Sequence, residues 1–155
     1  MSIDIIDDTE TAWIDPQRVS GITAFVLDRM HLDPECTVSI AFVDEDRMSE
    51  LHLQWMEEPG PTDVMSFPMD DLQPGSPEGP RPLGILGDIV LCPSVAERQA
   101  EQAGHAPEDE VDLLLVHGML HLLGHDHAEP EEHQVMFDLQ GNLLEVWRQQ
   151  GQVAP

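Results

Sequence analysis

Lysine is absent from this 155-residue chain. Six arginines, at positions 18, 29, 47, 81, 98 and 148, stand against 31 acidic residues, a formal charge of -25. The missing lysine fits biased codon usage or a salt-adapted host alike. A surface this negative repels nucleic acid, with screening beyond about 8–10 Å at physiological salt. Composition therefore speaks against a free-standing binder of DNA or RNA. Two cysteines, Cys36 and Cys92, are too few for a disulfide framework and read as buried apolar residues. No run of about 18 apolar residues exists, so no spanning helix is expected. The first residues, MSIDIIDDTE, lack the basic and apolar regions of a signal peptide. A soluble cytoplasmic protein is the expectation, with no membrane and no DNA among its partners.

Hydrophobic residues make up 41% of the chain, enough for a core. A chain of about 150 residues buries roughly 68–70% of its unfolded surface. One domain over residues 1–155 is expected. Strands are predicted at Ile3–Asp7, Thr37–Val43, Val64–Phe67 and Ile85–Leu91. Asp15-Pro16 starts a helix carrying Val19, Ile22, Phe25, Val26 and Met30 at helical spacing. Asp44 or Asp46 caps a short helix through Leu51 and Trp55. The stretch 68–82 is a long surface loop rich in Pro, Gly, Asp and Ser. Helices follow from Pro93 to about Ala103, over Glu108–Leu123, and over Glu131–Gln150. The predicted fold is α+β: a single domain with a small mixed sheet of about four strands flanked by helices.

The informative segment is His117-Gly118-Met119-Leu120-His121-Leu122-Leu123-Gly124-His125-Asp126-His127. A helix puts His117 and His121 one turn apart on one face. Both imidazoles then reach one tetrahedral metal at about 2.0–2.1 Å. Gly124 ends the helix and lets the chain double back, bringing His127 as a third ligand. Three neutral imidazoles leave a fourth position for water, the arrangement of catalytic zinc. A purely structural metal instead needs a fourth protein ligand, such as Asp126 or His125. Histidines with no metal are the remaining alternative.

The spacing equals that of metzincin proteases, HExxHxxGxxH. Those enzymes need Glu after the first histidine as general base. Here Gly118 stands there, so a zinc metallopeptidase lacks its base.

HGMLHLLGHDH resembles the HGxLHLxGYDH signature of the YbeY family of rRNA maturation factors, single-domain metal-dependent endoribonucleases of bacteria. Pro61-Thr62-Asp63-Val64-Met65-Ser66-Phe67-Pro68 is similar to that family's PTDVLSFP, and Leu86-Gly87-Asp88-Ile89-Val90-Leu91 to its LGDI strand. The resemblance runs from about Ile3 to Trp147. It implies a metzincin-like zinc site in a cleft beside the PTDV strand, with one Zn²⁺ held by His117, His121 and His127. It implies single-strand cleavage at the 3′ end of small-subunit 16S rRNA and a role in ribosome quality control. Two departures stand out. His125 takes the place of the usual tyrosine, and Met56 that of an arginine five residues before the PTDV proline. A thioether does not neutralise a phosphate. Arg98 and Arg81 are the nearest candidates to substitute, with Ser66 as a further substrate contact. The same methionine feeds another reading, a non-catalytic ribosome-assembly factor with a structural metal.

Candidate proton-transfer groups are Asp126, His125 and Asp63. Their ordinary roles are to orient an imidazole or satisfy backbone groups. RNA offers its own 2′-OH as nucleophile, so a strong protein base is not obligatory. The net charge then calls for a basic small-subunit ribosomal protein as docking partner, or for a locally positive cleft. Trp147 is expected in the core, the methionines are expected to fill gaps, and His31, His52, His105 and His133 are expected to be surface or satisfied histidines.

Overall fold

A computed structural model describes residues 2–125 and 129–153. Strands β1 (Ser2–Asp7), β2 (Thr37–Phe42), β3 (Val64–Pro68) and β4 (Ile85–Leu91) form a single sheet. Helices α1 (Pro16–Arg29), α2 (Glu45–Met56), α3 (Pro93–Ala103), α4 (Pro107–Leu122) and α5 (Pro130–Val153) complete the fold. The strand order is β1-β2-β4-β3. β1, β2 and β4 run parallel, while β3 lies antiparallel on the edge beside β4. This is the α+β fold with a four-stranded mixed sheet that the hydrophobic patterning predicts.

Val38, Ile40 and Phe42 alternate inward along β2, the two-residue period of a half-covered strand. They join Leu86, Ile89 and Leu91 of β4 in a core covered by α1, α4 and α5. Asp15 caps α1 by accepting from the Gln17 backbone, and Pro16 follows it, as the sequence predicts. α4 is the central helix and is apolar on nearly every side. A smaller cluster of Val43, Met48, Met65, Val90, Cys92 and Val95 fills the space around α2 and the start of α3. Both cysteines are buried. Trp13 and Trp147 pack against the core as partly buried rings. Met48, Met65, Met119 and Met136 fill gaps, but Met56 and Met69 are more than half exposed, which corrects the gap-filling expectation for those two.

Two acidic residues of α4 are buried, Glu110 and, more deeply, Asp112. Asp112, with a side chain 2% exposed, accepts from Arg18 at 2.6 Å, and Arg18 also reaches Asp109 at 3.0 Å. Burial raises the Asp112 pKa above its ordinary value, and the Arg18 guanidinium opposes that rise. Removing the cation leaves an uncompensated buried carboxylate. Arg18→Ala is expected to cost about 2 kcal/mol at pH 8, discounted because Arg18 is itself partly exposed. A raised folded-state pKa adds stability on the acid side and withdraws it as pH rises. Urea unfolding of the variant should therefore show a smaller deficit at pH 5 than at pH 8. An equal deficit at both would exclude Asp112 as its source.

Candidate active site

α4 carries His117 and His121 four residues apart, and the helix stacks them on one face. Their rings meet edge to face with centroids 4.6 Å apart. The two Nε2 atoms stand 3.1 Å from each other. Two nitrogens about 2.05 Å from one tetrahedral centre would stand about 3.3 Å apart, so this spacing fits a shared metal ion. The His117 Nδ1 lies 2.8 Å from Oε1 of Gln140 on α5. With that oxygen accepting, Nδ1 carries the hydrogen and Nε2 of the neutral ring presents a lone pair. The donor chemistry of the pair therefore suits zinc.

Gly118 separates the two histidines for a steric reason. A Cβ there would lie 3.1 Å from Ser66 Oγ and 3.2 Å from Ile89 Cγ2. The Ser66 hydroxyl donates to the Gly118 carbonyl at 3.1 Å, which ties α4 closely to β3. The position a peptidase gives to its glutamate thus faces the sheet, where any side chain would press on Ser66 and Ile89. The helix then ends in a Schellman motif. Gly124, at φ +93°, donates to the His121 carbonyl, and the His125 N–H reaches back to Leu120. Gly124 and His125 both border the adjoining cleft.

That cleft has a volume of ≈ 690 Å³. Asp63, Val64 and Ser66 of the PTDV segment wall one side, and Phe137 and Gln140 of α5 contribute another part of its lining. Glu110 and Leu114 extend the histidine-bearing face of α4, and Met56 borders the cleft from the end of α2. Asp63 Oδ1 accepts from the Val64 backbone at 2.7 Å, and buried Glu110 is held 2.6 Å from His105 Nε2. Among the described residues, no arginine borders the cleft.

Of the residues singled out by sequence, the structure brings together His117, His121, His125, Asp63 and Ser66. Asp126 and His127 lie outside the described residues. Among the described residues no cluster of three or more His, Cys, Asp or Glu side chains able to hold a metal occurs. Arg98 and Arg81 sit elsewhere, contrary to their expected place in the site. Arg98 pairs with Glu45 at 2.9 Å, and Arg81 reaches Asp28 and the Leu32 carbonyl. Each is occupied by a local acceptor in an acid-rich surface. Sequence reasoning missed Glu110 and Gln140. Glu110 precedes His117 by seven residues, two helical turns, so periodicity carried a signal for it. Gln140 carried none, because its partner lies 23 residues away. Among the described residues, no helix is long and apolar enough to cross a membrane.

The chain is similar to known proteins along nearly its whole length. Residues 5–148 match the family described as "Endoribonuclease YbeY". A protein of that name from Thermobifida fusca is 53% identical over 148 residues, covering 96% of this chain and 95% of its own. Its namesake from a Nocardioides species is 52% identical over 148 residues, covering 96% of this chain and 99% of its own. The solution structure of a Thermotoga maritima protein superposes with a TM-score of 0.64 at 25% identity, covering 96% of this chain and 93% of that one.

Proposed function

This chain belongs to the Endoribonuclease YbeY family, and from that premise we propose that it is a zinc-dependent endoribonuclease that cuts single-stranded RNA in maturing the 3′ end of small-subunit 16S rRNA and in ribosome quality control. The observation that carries the reading is the pair of imidazole Nε2 atoms, 3.1 Å apart, in a cleft beside an edge strand. His117 and His121 would hold the ion, with His127 as the third ligand. When bound, zinc supplies Lewis-acid polarisation of a phosphoryl oxygen. The chain's own part is to admit and orient the RNA. Bases must be splayed to enter a cleft of this size, which favours single strands over duplex. His125, Asp63 and Asp126 are the groups assigned to hold or move a proton: the RNA 2′-OH attacks the adjacent phosphorus and gives up its proton as the P–O5′ bond breaks and the 5′-oxygen takes one, leaving a 2′,3′-cyclic phosphate and a 5′-OH.

The charge of -25 makes naked RNA a poor partner. We assign docking to a basic protein of the small ribosomal subunit, toward which an acidic surface steers, within the cytoplasm. An RNA with the 3′-extended end of small-subunit rRNA, presented naked and within assembled subunits, tests this reading. Faster cleavage within subunits is expected. Equal rates on both would remove the docking partner from the account.

One observation favours a second reading, an assembly factor that binds without cutting. Met56 borders the cleft where the family pattern has arginine, and it is 52% exposed. Met56→Arg separates the two. It is expected to raise cleavage several-fold and to steepen the dependence of log Kd on log salt by about 0.7, one phosphate contact on single-stranded RNA. A steeper slope with no cleavage in either protein would favour the assembly factor.

A further inference from the structure

We infer that Gln140 is a positioning residue for the metal site, setting the tautomer and ring orientation of His117. This rests on the reading of His117 and His121 as metal ligands. Gln140 is 5% exposed and lies in the buried stripe of α5, three or four residues from Met136, Leu143 and Leu144. Burying an amide in such a stripe costs free energy unless it is hydrogen-bonded. An apolar side chain would pack there at no such cost. The amide is spent on the imidazole instead, with Oε1 2.8 Å from His117 Nδ1. That bond keeps the hydrogen on Nδ1 and turns the Nε2 lone pair toward the partner Nε2 of His121, 3.1 Å away. Without it the ring can carry its hydrogen on Nε2, the form that binds no metal there. Outer partners of this kind are worth about 10–100-fold in metal affinity.

The test is zinc affinity measured by chelator competition on the full chain, with thermal unfolding of the metal-free protein beside it. Gln140→Leu is expected to weaken zinc binding about 10–100-fold, with the melting temperature of the metal-free protein unchanged or raised. Gln140→Glu, which still accepts from Nδ1, is expected to restore affinity to within a few-fold of wild type. Gln140→Leu binding zinc as tightly as wild type overturns the inference. So does equal weakening in both variants, which would assign the residue to shape alone. If wild type binds no better than His121→Ala, the metal reading itself fails and takes this inference with it. Cleavage activity is not needed for any of these readouts.

Discussion

His121→Ala is expected to lower single-turnover RNA cleavage by at least about 100-fold, beyond the upper end of what losing an outer partner of a metal ligand costs. The size follows from the geometry. His117 and His121 face each other at 3.1 Å, and their described neighbourhood contains no third histidine, cysteine or carboxylate placed to make a metal cluster with them. Alanine keeps the helix, for which it has the best propensity. The His121 ring lines the cleft and is only half-buried, unlike the flanking Leu120 and Leu122, which fill the core. Far-UV circular dichroism of the variant should match wild type. Cleavage persisting in a folded His121→Ala protein would place the chemistry outside this cleft.

Gly87→Ala is expected to have the largest effect on stability. Gly87 sits in β4 at φ +141°, a backbone conformation that disfavours any side chain. An added Cβ would run into the Phe67 carbonyl oxygen and lie 3.0 Å from both Leu122 Cδ2 and Pro68 Cα. Two of those three neighbours are backbone atoms and cannot swing aside. The β2–β4 register also shifts next to this point. Backbone strain and overpacking each cost about 1–3 kcal/mol, so about 3 kcal/mol or more is expected. For a domain of this size that lowers Tm by roughly 6–12 °C. The damage falls on the site as well, because Phe67 belongs to the strand that walls the cleft and Leu122 follows His121. Differential scanning calorimetry checks it. A Tm within about 2 °C of wild type, less than 1 kcal/mol of change, would mean that the β3–β4 pairing yields at little cost.

Gly87 also shows how far the sequence could be read. A glycine within a strand-like run marks a bulge or a close approach, but which backbone it meets depends on β3 folding back beside β4. The nine elements among the described residues were legible from local signals such as the Asp15 cap, the β-branched apolar run of β2, and Gly124 after the histidine helix. Their arrangement was less so. The strand order β1-β2-β4-β3 depends on pairings between distant segments. The Arg18–Asp112 pair joins residues 94 apart, and an arginine on an amphipathic helix gives no hint of it. The histidine pair was legible because its spacing is helical and local. Its support was not, since Gln140 comes from another helix and Ser66 from the edge strand. The local acceptors of Arg98 and Arg81 were not legible for the converse reason. With 31 acidic side chains in the chain, Arg18, Arg47, Arg81 and Arg98 each find a carboxylate partner, at sequence separations from three to 94 residues.

The exposed ends of the chemistry follow the same logic. Trp55 stands 58% exposed, edge-on to Phe67 with centroids 5.7 Å apart, beside the exposed Met56. Met56 thus borders the cleft with a thioether where the family pattern has a cation, while the indole next to it lies outside the cleft lining.

Single-stranded RNA should be incubated with the zinc-loaded protein, with the same protein stripped by chelator, and with the stripped protein after zinc is returned. Cleavage in the first, its loss in the second and its recovery in the third are the predicted results. Equal cleavage by the stripped protein, or none at any zinc level on naked or subunit-bound RNA, would contradict the account.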